Sequence, residues 1–277
     1  MAAIKRWSHW GIAVLLGLAV SAAWAQRQSP AEVAKAEALT AQLFADLASD
    51  GAWLDLAAST VYGPDFSPAK RTIAKSNLRA FMLNDRLPRY IVQLVAPIAS
   101  PTLPAAEAQA SIMEGLAVLG QRGMRRLSTE QKTQLLRFSI GMFKSIPATT
   151  CKALALGQLD TRAGRRLELR YAASLSLPEF EAHAAAVRAA VEAELSEYPD
   201  LKSINKGQAK AAERAYNAAV DARAQRLPAG MLERLETLET ADAAEVCRWV
   251  QLSLSASLDL AEPYRGWWLS RFFESMQ

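Results

Sequence analysis

Residues 176–195 read SLPEFEAHAAAVRAAVEAEL, and this stretch is the clearest indication of the fold class. It opens with the pattern of a capping box, in which the Ser176 hydroxyl accepts from the backbone N–H of Glu179 and the glutamate carboxylate bonds back to the serine N–H. A proline stands in the first turn, where a helix tolerates it. The stretch predicts a long amphipathic helix, because apolar side chains recur every three or four residues. These side chains are Phe180, Ala184, Val187, Val191 and Leu195.

The chain that follows predicts a partner for this helix. Pro199 interrupts the pattern, and a second, alanine-rich helix is expected from about Asn205 to Arg226. Alanine side chains allow two helices to approach closely, and short connections usually join antiparallel neighbours. We therefore expect an antiparallel helical hairpin over residues 178–227.

The same helix-start signals recur along the chain. Ser29, Ser67 and Ser128 each begin a serine–proline pair or a capping box, and each precedes a stretch with helical periodicity. No run alternates apolar and polar residues with a period of two over a useful length. The expected fold is all-α, with several helices in a bundle-like or orthogonal arrangement. We expect one domain over residues 26–277, with a further boundary at the proline-rich segment 97–104.

The N-terminal residues 1–25 have the three parts of a secretory signal peptide. A basic start is followed by ten apolar residues and then by Ala23-Trp24-Ala25, which fits the small-residue rule for cleavage. The sequence thus predicts a bacterial protein that is exported to the periplasm. The alternative is an uncleaved membrane anchor over residues 7–25, which are just numerous enough to span a bilayer.

Composition excludes several classes of protein. Apolar residues make up 51% of the 277 residues, which is too many for a disordered chain, and the mature part lacks the long apolar runs of a polytopic membrane protein. The net charge of +4 includes Lys5 and Arg6 of the signal segment. Removing these two of the 32 basic residues leaves 30 against 28 acidic ones. This surplus is too small for a nucleic-acid-binding surface, so no nucleic-acid partner is expected.

The chain has two cysteines, Cys151 and Cys247, and both follow the signal segment. An exported protein meets an oxidising compartment, where cysteine pairs form disulfides. We therefore expect a Cys151–Cys247 disulfide. The alternative is two buried free thiols, because each cysteine lies within an apolar helical pattern.

Few residues are candidates for catalysis. His183 is the only histidine after residue 25, so a multi-histidine metal site is excluded and a histidine-dependent triad has a single candidate. Glu179 lies one helical turn before His183 and could orient it. Ser67 and Lys70 match the S-x-x-K spacing of serine acyl-transfer enzymes, but the accompanying motifs are missing and Ser67 is explained as a helix cap. We predict no catalytic residue, no metal site and no cofactor.

Arginine clusters are the best candidates for a binding surface. Arg162, Arg165, Arg166 and Arg170 fall on one side of a predicted helix. Guanidinium groups bind carboxylates, phosphates and acidic protein surfaces, so these residues are the candidate anion or partner site. The alternative is a solvated helix face. A second cluster, formed by Arg122, Arg125 and Arg126, stands near a helix end.

The C-terminal helix carries an unusual number of aromatic residues. Trp267, Trp268, Phe272 and Phe273 are candidates for an aromatic anchor on a membrane surface or a partner. The alternative is that this last helix closes the hydrophobic core.

These observations favour a binding protein over an enzyme. We expect an exported helical protein that binds another macromolecule, as an inhibitor, an immunity-type protein or an envelope accessory protein. Its partner is then a protein of the envelope, and contact with the membrane surface is not favoured. The alternatives are a carboxylate-dependent hydrolase of envelope polymers and a membrane-associated accessory protein that uses its aromatic end.

Overall fold

The computed structural model describes residues 29–63, 65–95, 105–201 and 203–275. These residues form thirteen α-helices and one short 3₁₀ helix, with no strand among them, which confirms the all-α prediction. The signal segment 1–25 and the boundary segment 97–104 lie outside the described residues.

The helices follow one another with short connections. Their bounds are α1 Pro30–Ser49, α2 Gly51–Tyr62, α3 Pro68–Met82, α4 Leu87–Val95, α5 Ala105–Gly123, α6 Thr129–Ser145, α7 Ala148–Ala155, α8 Thr161–Ser174, α9 Leu177–Ser196, α10 Lys206–Ala224, α11 Met231–Arg234, α12 Ala243–Ala256 and α13 Tyr264–Glu274; the 3₁₀ helix is Met124–Arg126.

Serine caps begin the helices where the sequence predicts them. The hydroxyls of Ser29, Ser67, Ser128 and Ser176 each accept a hydrogen bond from a backbone N–H in the first turn of α1, α3, α6 and α9. Three of the four caps, all except that of α3, are reciprocal capping boxes. Such caps satisfy N–H groups that a helix leaves without an internal partner.

Close contacts group the helices into two units. The first unit, here called the α9 unit, contains α1–α5, the 3₁₀ helix and α9, and its described residues lie within 29–126 and 175–199. The second, here called the disulfide unit, contains α6–α8 and α10–α13, within 127–174 and 200–275. The chain therefore passes from one unit to the other after residues 126, 174 and 199.

Helix α9 is central to the α9 unit, where it packs against α5 and α3. The core around these helices contains a cluster of buried apolar residues, among them Phe44, Leu78, Phe81, Leu87, Ile91, Leu119 and Val191. Helices α5 and α9 approach so closely that a Cβ atom on Gly123 would lie 1.7 Å from the carbonyl oxygen of Ala190. Only glycine fits at this position.

Helices α7 and α12 pack together in the disulfide unit, and a disulfide joins Cys151 to Cys247. The two Cα atoms are 5.6 Å apart, which suits the bond, and both side chains are buried. The prediction of this disulfide is confirmed. It joins residues 96 positions apart, and in the chain-entropy model a loop near this length stabilises the fold by about 4–5 kcal/mol.

The aromatic face of α13 packs largely within the disulfide unit. The Trp268 ring stacks on Tyr216 of α10 with 3.7 Å between centroids, and its Nε1 donates to the Ser257 hydroxyl at 2.9 Å. Phe273 is buried. Of the predicted aromatic anchor, Trp268 thus makes internal contacts and Phe273 is buried. Trp267 and Phe272 are partly exposed.

The predicted hairpin of α9 and α10 is not confirmed. The two helices belong to different units, and each has its main partners within its own unit: α5 and α3 for α9, and α13 and α12 for α10. Small alanine side chains allow close packing against many helices, so they do not specify which helix is the partner. None of the described helices is long and apolar enough to cross a membrane.

Candidate functional site

The α9 unit contains a cleft of about 660 Å³, a volume within the range of small-molecule sites. Helix α4 forms one wall and buries Leu87, Ile91 and Val92 on its opposite side, as its amphipathic pattern requires. The ends of α5 and α9 form the rest. The lining residues are Arg86, Arg89, Tyr90, Gln93, Leu119, Arg122, Glu194, Leu195 and Glu197.

Two lining side chains are fixed by bonds to backbone carbonyls. The Arg86 guanidinium donates to the Leu195 carbonyl at 3.3 Å, and the Tyr90 hydroxyl donates to the Gly115 carbonyl at 2.8 Å. Burial raises the pKa of Tyr90, and the Glu194 carboxylate acts in the same direction while Arg122 opposes it. The Tyr90 phenol is therefore neutral at physiological pH and keeps the proton that it donates.

The end of α9 is held by Arg126. Its Nε lies 2.8 Å from a carboxylate oxygen of Glu194, and both side chains are largely buried. Its Nη1 donates to the carbonyls of Glu197, at 2.8 Å, and Pro199, at 3.0 Å. The Glu194 charge is thus neutralised by a residue that does not itself line the cleft.

Arg89 and Arg122 differ from Arg126, because both are exposed and neither has a hydrogen-bond or ion-pair partner in the described part of the chain. Together with Arg86 they place three guanidinium groups around one cleft. Guanidinium groups form paired, charge-assisted hydrogen bonds with carboxylate and phosphate oxygens. The arrangement can therefore bind an anionic group with several donors at once.

The candidate arginines of α8 lie elsewhere, in the disulfide unit. Arg162, Arg166 and Arg170 are exposed at intervals of one helical turn, with no hydrogen bond or ion pair to them among the described residues. Arg165 is partly buried. Burial raises the pKa of the nearby Glu168 carboxyl to about 8, and the charge of Arg165 opposes this effect. The four residues share a helix face, as predicted, but they do not line the cleft.

The second predicted arginine cluster is divided between two roles. Arg122 lines the cleft, whereas Arg126 holds the end of α9. Sequence analysis missed Arg86 and Arg89. A signal was present, since arginines, a tyrosine and a glutamine share the polar side of the short amphipathic stretch 86–93, but nothing in the sequence places this side next to Arg122.

The S-x-x-K pair is occupied by structural contacts. The Ser67 hydroxyl accepts from the Lys70 backbone N–H at 3.4 Å as the cap of α3. The Lys70 ammonium is buried, donates to the Leu175 carbonyl and lies 5.8 Å from the centroid of the Phe180 ring. Burial lowers the pKa of Lys70, and Glu179 opposes this. Ser67 and Lys70 thus cap and anchor helices.

Glu179 and His183 lie one turn apart on α9 and have different surroundings. The Glu179 carboxylate accepts from the N–H of Ser176 at 2.9 Å and from its hydroxyl at 2.6 Å. These bonds lower the pKa of Glu179, and Lys70 adds to the effect. Burial lowers the pKa of His183 to about 3. Within the described ranges, no three histidine, cysteine or acidic side chains are grouped as metal ligands.

Comparison with known proteins does not add a relative from which a function could be transferred: no protein family, curated protein or solved structure matches the chain.

Proposed function

We propose that this is an exported, non-catalytic protein that binds an envelope protein by holding an anionic group of that partner in the arginine-lined cleft. A role as an inhibitor, an immunity-type protein or an envelope accessory protein is compatible with this activity. The observation that carries the proposal is the convergence of Arg86, Arg89 and Arg122 on one cleft, two of them without a partner in the described chain.

Charge and shape both support binding over catalysis. Arginine is a frequent energetic centre of protein interfaces, as is tyrosine, and the cleft offers both. A glycoside hydrolase needs a protonated carboxyl as general acid. Glu194 is unsuited to that role, because its carboxylate is engaged in an ion pair with Arg126 at 2.8 Å.

Export forms part of the proposal and has its own measurement. The signal segment 1–25 would be removed in the periplasm, and the purified protein would begin at Gln26. Intact-mass analysis of protein from the periplasmic fraction should give the mass of residues 26–277 less two hydrogens for the disulfide. A full-length mass in the membrane fraction would contradict cleavage.

Binding can be tested by site-specific photo-crosslinking in the producing cells. A photoreactive residue in place of Gln93, which lines the cleft and is exposed, should give a discrete adduct with one envelope protein. The same residue in place of the exposed Gln225 serves as the control. The double variant Arg89→Gln/Arg122→Gln should lose the adduct without loss of folding, because neither guanidinium has an internal partner in the described chain. An adduct that persists in the double variant would overturn the proposal.

A further inference from the structure

Glu197 adds an unpaired negative charge to a cleft that also contains the unpaired Arg89 and Arg122, within the described part of the chain. Its side chain is exposed in the lining, and in the described part of the chain no hydrogen bond or ion pair engages its carboxylate. A site that takes only anions gains nothing from such a group, because it repels the same ligand that the arginines attract. The other lining carboxylate, Glu194, is already paired with Arg126.

The backbone of Glu197 adds an independent observation. This is the one non-glycine residue with a positive φ, 53°, among the described residues. Helices usually place glycine or asparagine in this left-handed conformation, because a larger side chain is strained there. Hydrogen bonds hold both ends of this residue. The Glu197 N–H donates to carbonyls of α9, and the Glu197 carbonyl accepts from Arg126 at 2.8 Å. Strained residues that are held in this way often occur at ligand sites.

The cleft is not purely ionic, because apolar side chains also form part of its lining. Leu119 and Leu195 line the same cleft, and both are buried to more than nine-tenths. Tyr90 contributes part of its ring, and Gln93 contributes an amide. A ligand that matches this lining has carboxylates, an amino group and hydrocarbon in a short span, which is the chemistry of a charged peptide segment.

We infer that the cleft binds an acidic peptide segment that also carries an ammonium group, with Arg89 and Arg122 on the carboxylates and the Glu197 carboxylate on the ammonium. The inference rests on the proposed function and specifies its ligand. The ammonium is a chain amino terminus or a lysine side chain, and it confers selectivity over fully anionic ligands such as phosphorylated lipid headgroups.

The test compares two triglutamate peptides, one with a free amino terminus and one N-acetylated, by isothermal titration on the purified full protein. The free-amine peptide should bind about tenfold more tightly, as expected for one charge-assisted hydrogen bond. In Glu197→Gln the two peptides should bind equally, with the acetylated one unchanged or tighter. In Arg89→Gln/Arg122→Gln both peptides should lose binding. Sodium pyrophosphate is the fully anionic comparison and should bind more tightly to Glu197→Gln than to the unaltered protein.

A second variant separates selectivity from folding. Glu197→Gly removes the carboxylate and relieves the left-handed strain, so its melting temperature should rise while the preference for the free amine disappears. Equal binding of the two peptides to the unaltered protein, a preference that survives in Glu197→Gln, or no binding of either peptide would overturn this inference. None of these results tests the proposed function, which the photo-crosslink from position 93 tests separately. Peptide binding that survives in Arg89→Gln/Arg122→Gln would also overturn this inference, whereas the proposed function is overturned by a photo-crosslink that persists in that double variant.

Discussion

The cleft of the α9 unit and the arginine row of α8 contain the same kind of side chain in different settings. In the cleft, Arg89 and Arg122 come from two helices and face a concave surface that also offers Tyr90. On α8, Arg162 and Arg166 project from one exposed helix face. A concave setting can surround a ligand group with several donors, whereas a row on one helix contacts a flat partner surface where water competes. Convergence of arginines therefore indicates a site more strongly than their number.

The largest expected difference between the two regions concerns their glycines. Gly123→Ala should lower the free energy of unfolding by about 3 kcal/mol, because the new methyl group would overlap the Ala190 backbone where α5 meets α9. Gly164→Ala on α8 is the matched control, because no atom lies within 4 Å of its new Cβ. It should stabilise the helix by about 0.5–1 kcal/mol.

Urea denaturation of both variants measures this difference. Peptide titration should show weaker binding by Gly123→Ala, since the ends of α5 and α9 form part of the cleft. Equal stability of the two alanine variants would show that the contact between α5 and α9 is looser than described here.

The two regions should also respond to pH in opposite directions. The pKa of His183 in α9 is lowered to about 3, so the unfolded chain binds the proton first, and the α9 unit loses stability as the pH falls from about 6.5 towards 3. The pKa of Glu168 in α8 is raised to about 8, so the folded chain keeps that proton longer, and the disulfide unit loses stability as the pH rises from about 4.5 towards 8. Each group contributes a slope of up to about 1.4 kcal/mol per pH unit inside its window.

Hydrogen exchange resolves these slopes by helix. Protection of α9 should fall in acid, and His183→Gln should flatten this dependence. Protection of α8 should fall towards pH 8, and Glu168→Gln should flatten that dependence instead. Slopes that stay the same in both variants would assign the pH dependence to other groups.

The smallest expected effect concerns the arginine row itself. The triple variant Arg162→Gln/Arg166→Gln/Arg170→Gln should change the free energy of unfolding by no more than about 0.5 kcal/mol, because these side chains are exposed and have no partner in the described residues. If the cleft is the recognition site, the crosslink from position 93 should also persist. Loss of that adduct in the triple variant would indicate that the partner binds the arginines of α8, as the sequence alone predicted.

Local features of this fold were predictable from the sequence. The caps at Ser128 and Ser176 and the helical period of 176–195 depend on residues within a few positions of one another. The Cys151–Cys247 bond was predictable because no other cysteine competes.

The cleft was not predictable, because it depends on contacts between distant residues. Arg86 and Leu195, which meet in its wall, are 109 positions apart. Periodicity identifies which face of a helix is polar, but it does not identify the neighbour of that face. The unconfirmed hairpin illustrates the same point, since small alanine side chains on α9 do not specify which helix is its partner.

The discontinuous course of the α9 unit sets the order in which its core can form as the chain is synthesised. Helices α1–α5 are synthesised first, yet α9 completes their core only after residues 127–174 have also been made. A fragment that ends at residue 126 therefore exposes the surface that Val191 and Leu195 should cover. We expect truncation at 126 to give an aggregation-prone product, whereas truncation at 199 leaves the α9 unit with all of its described helices.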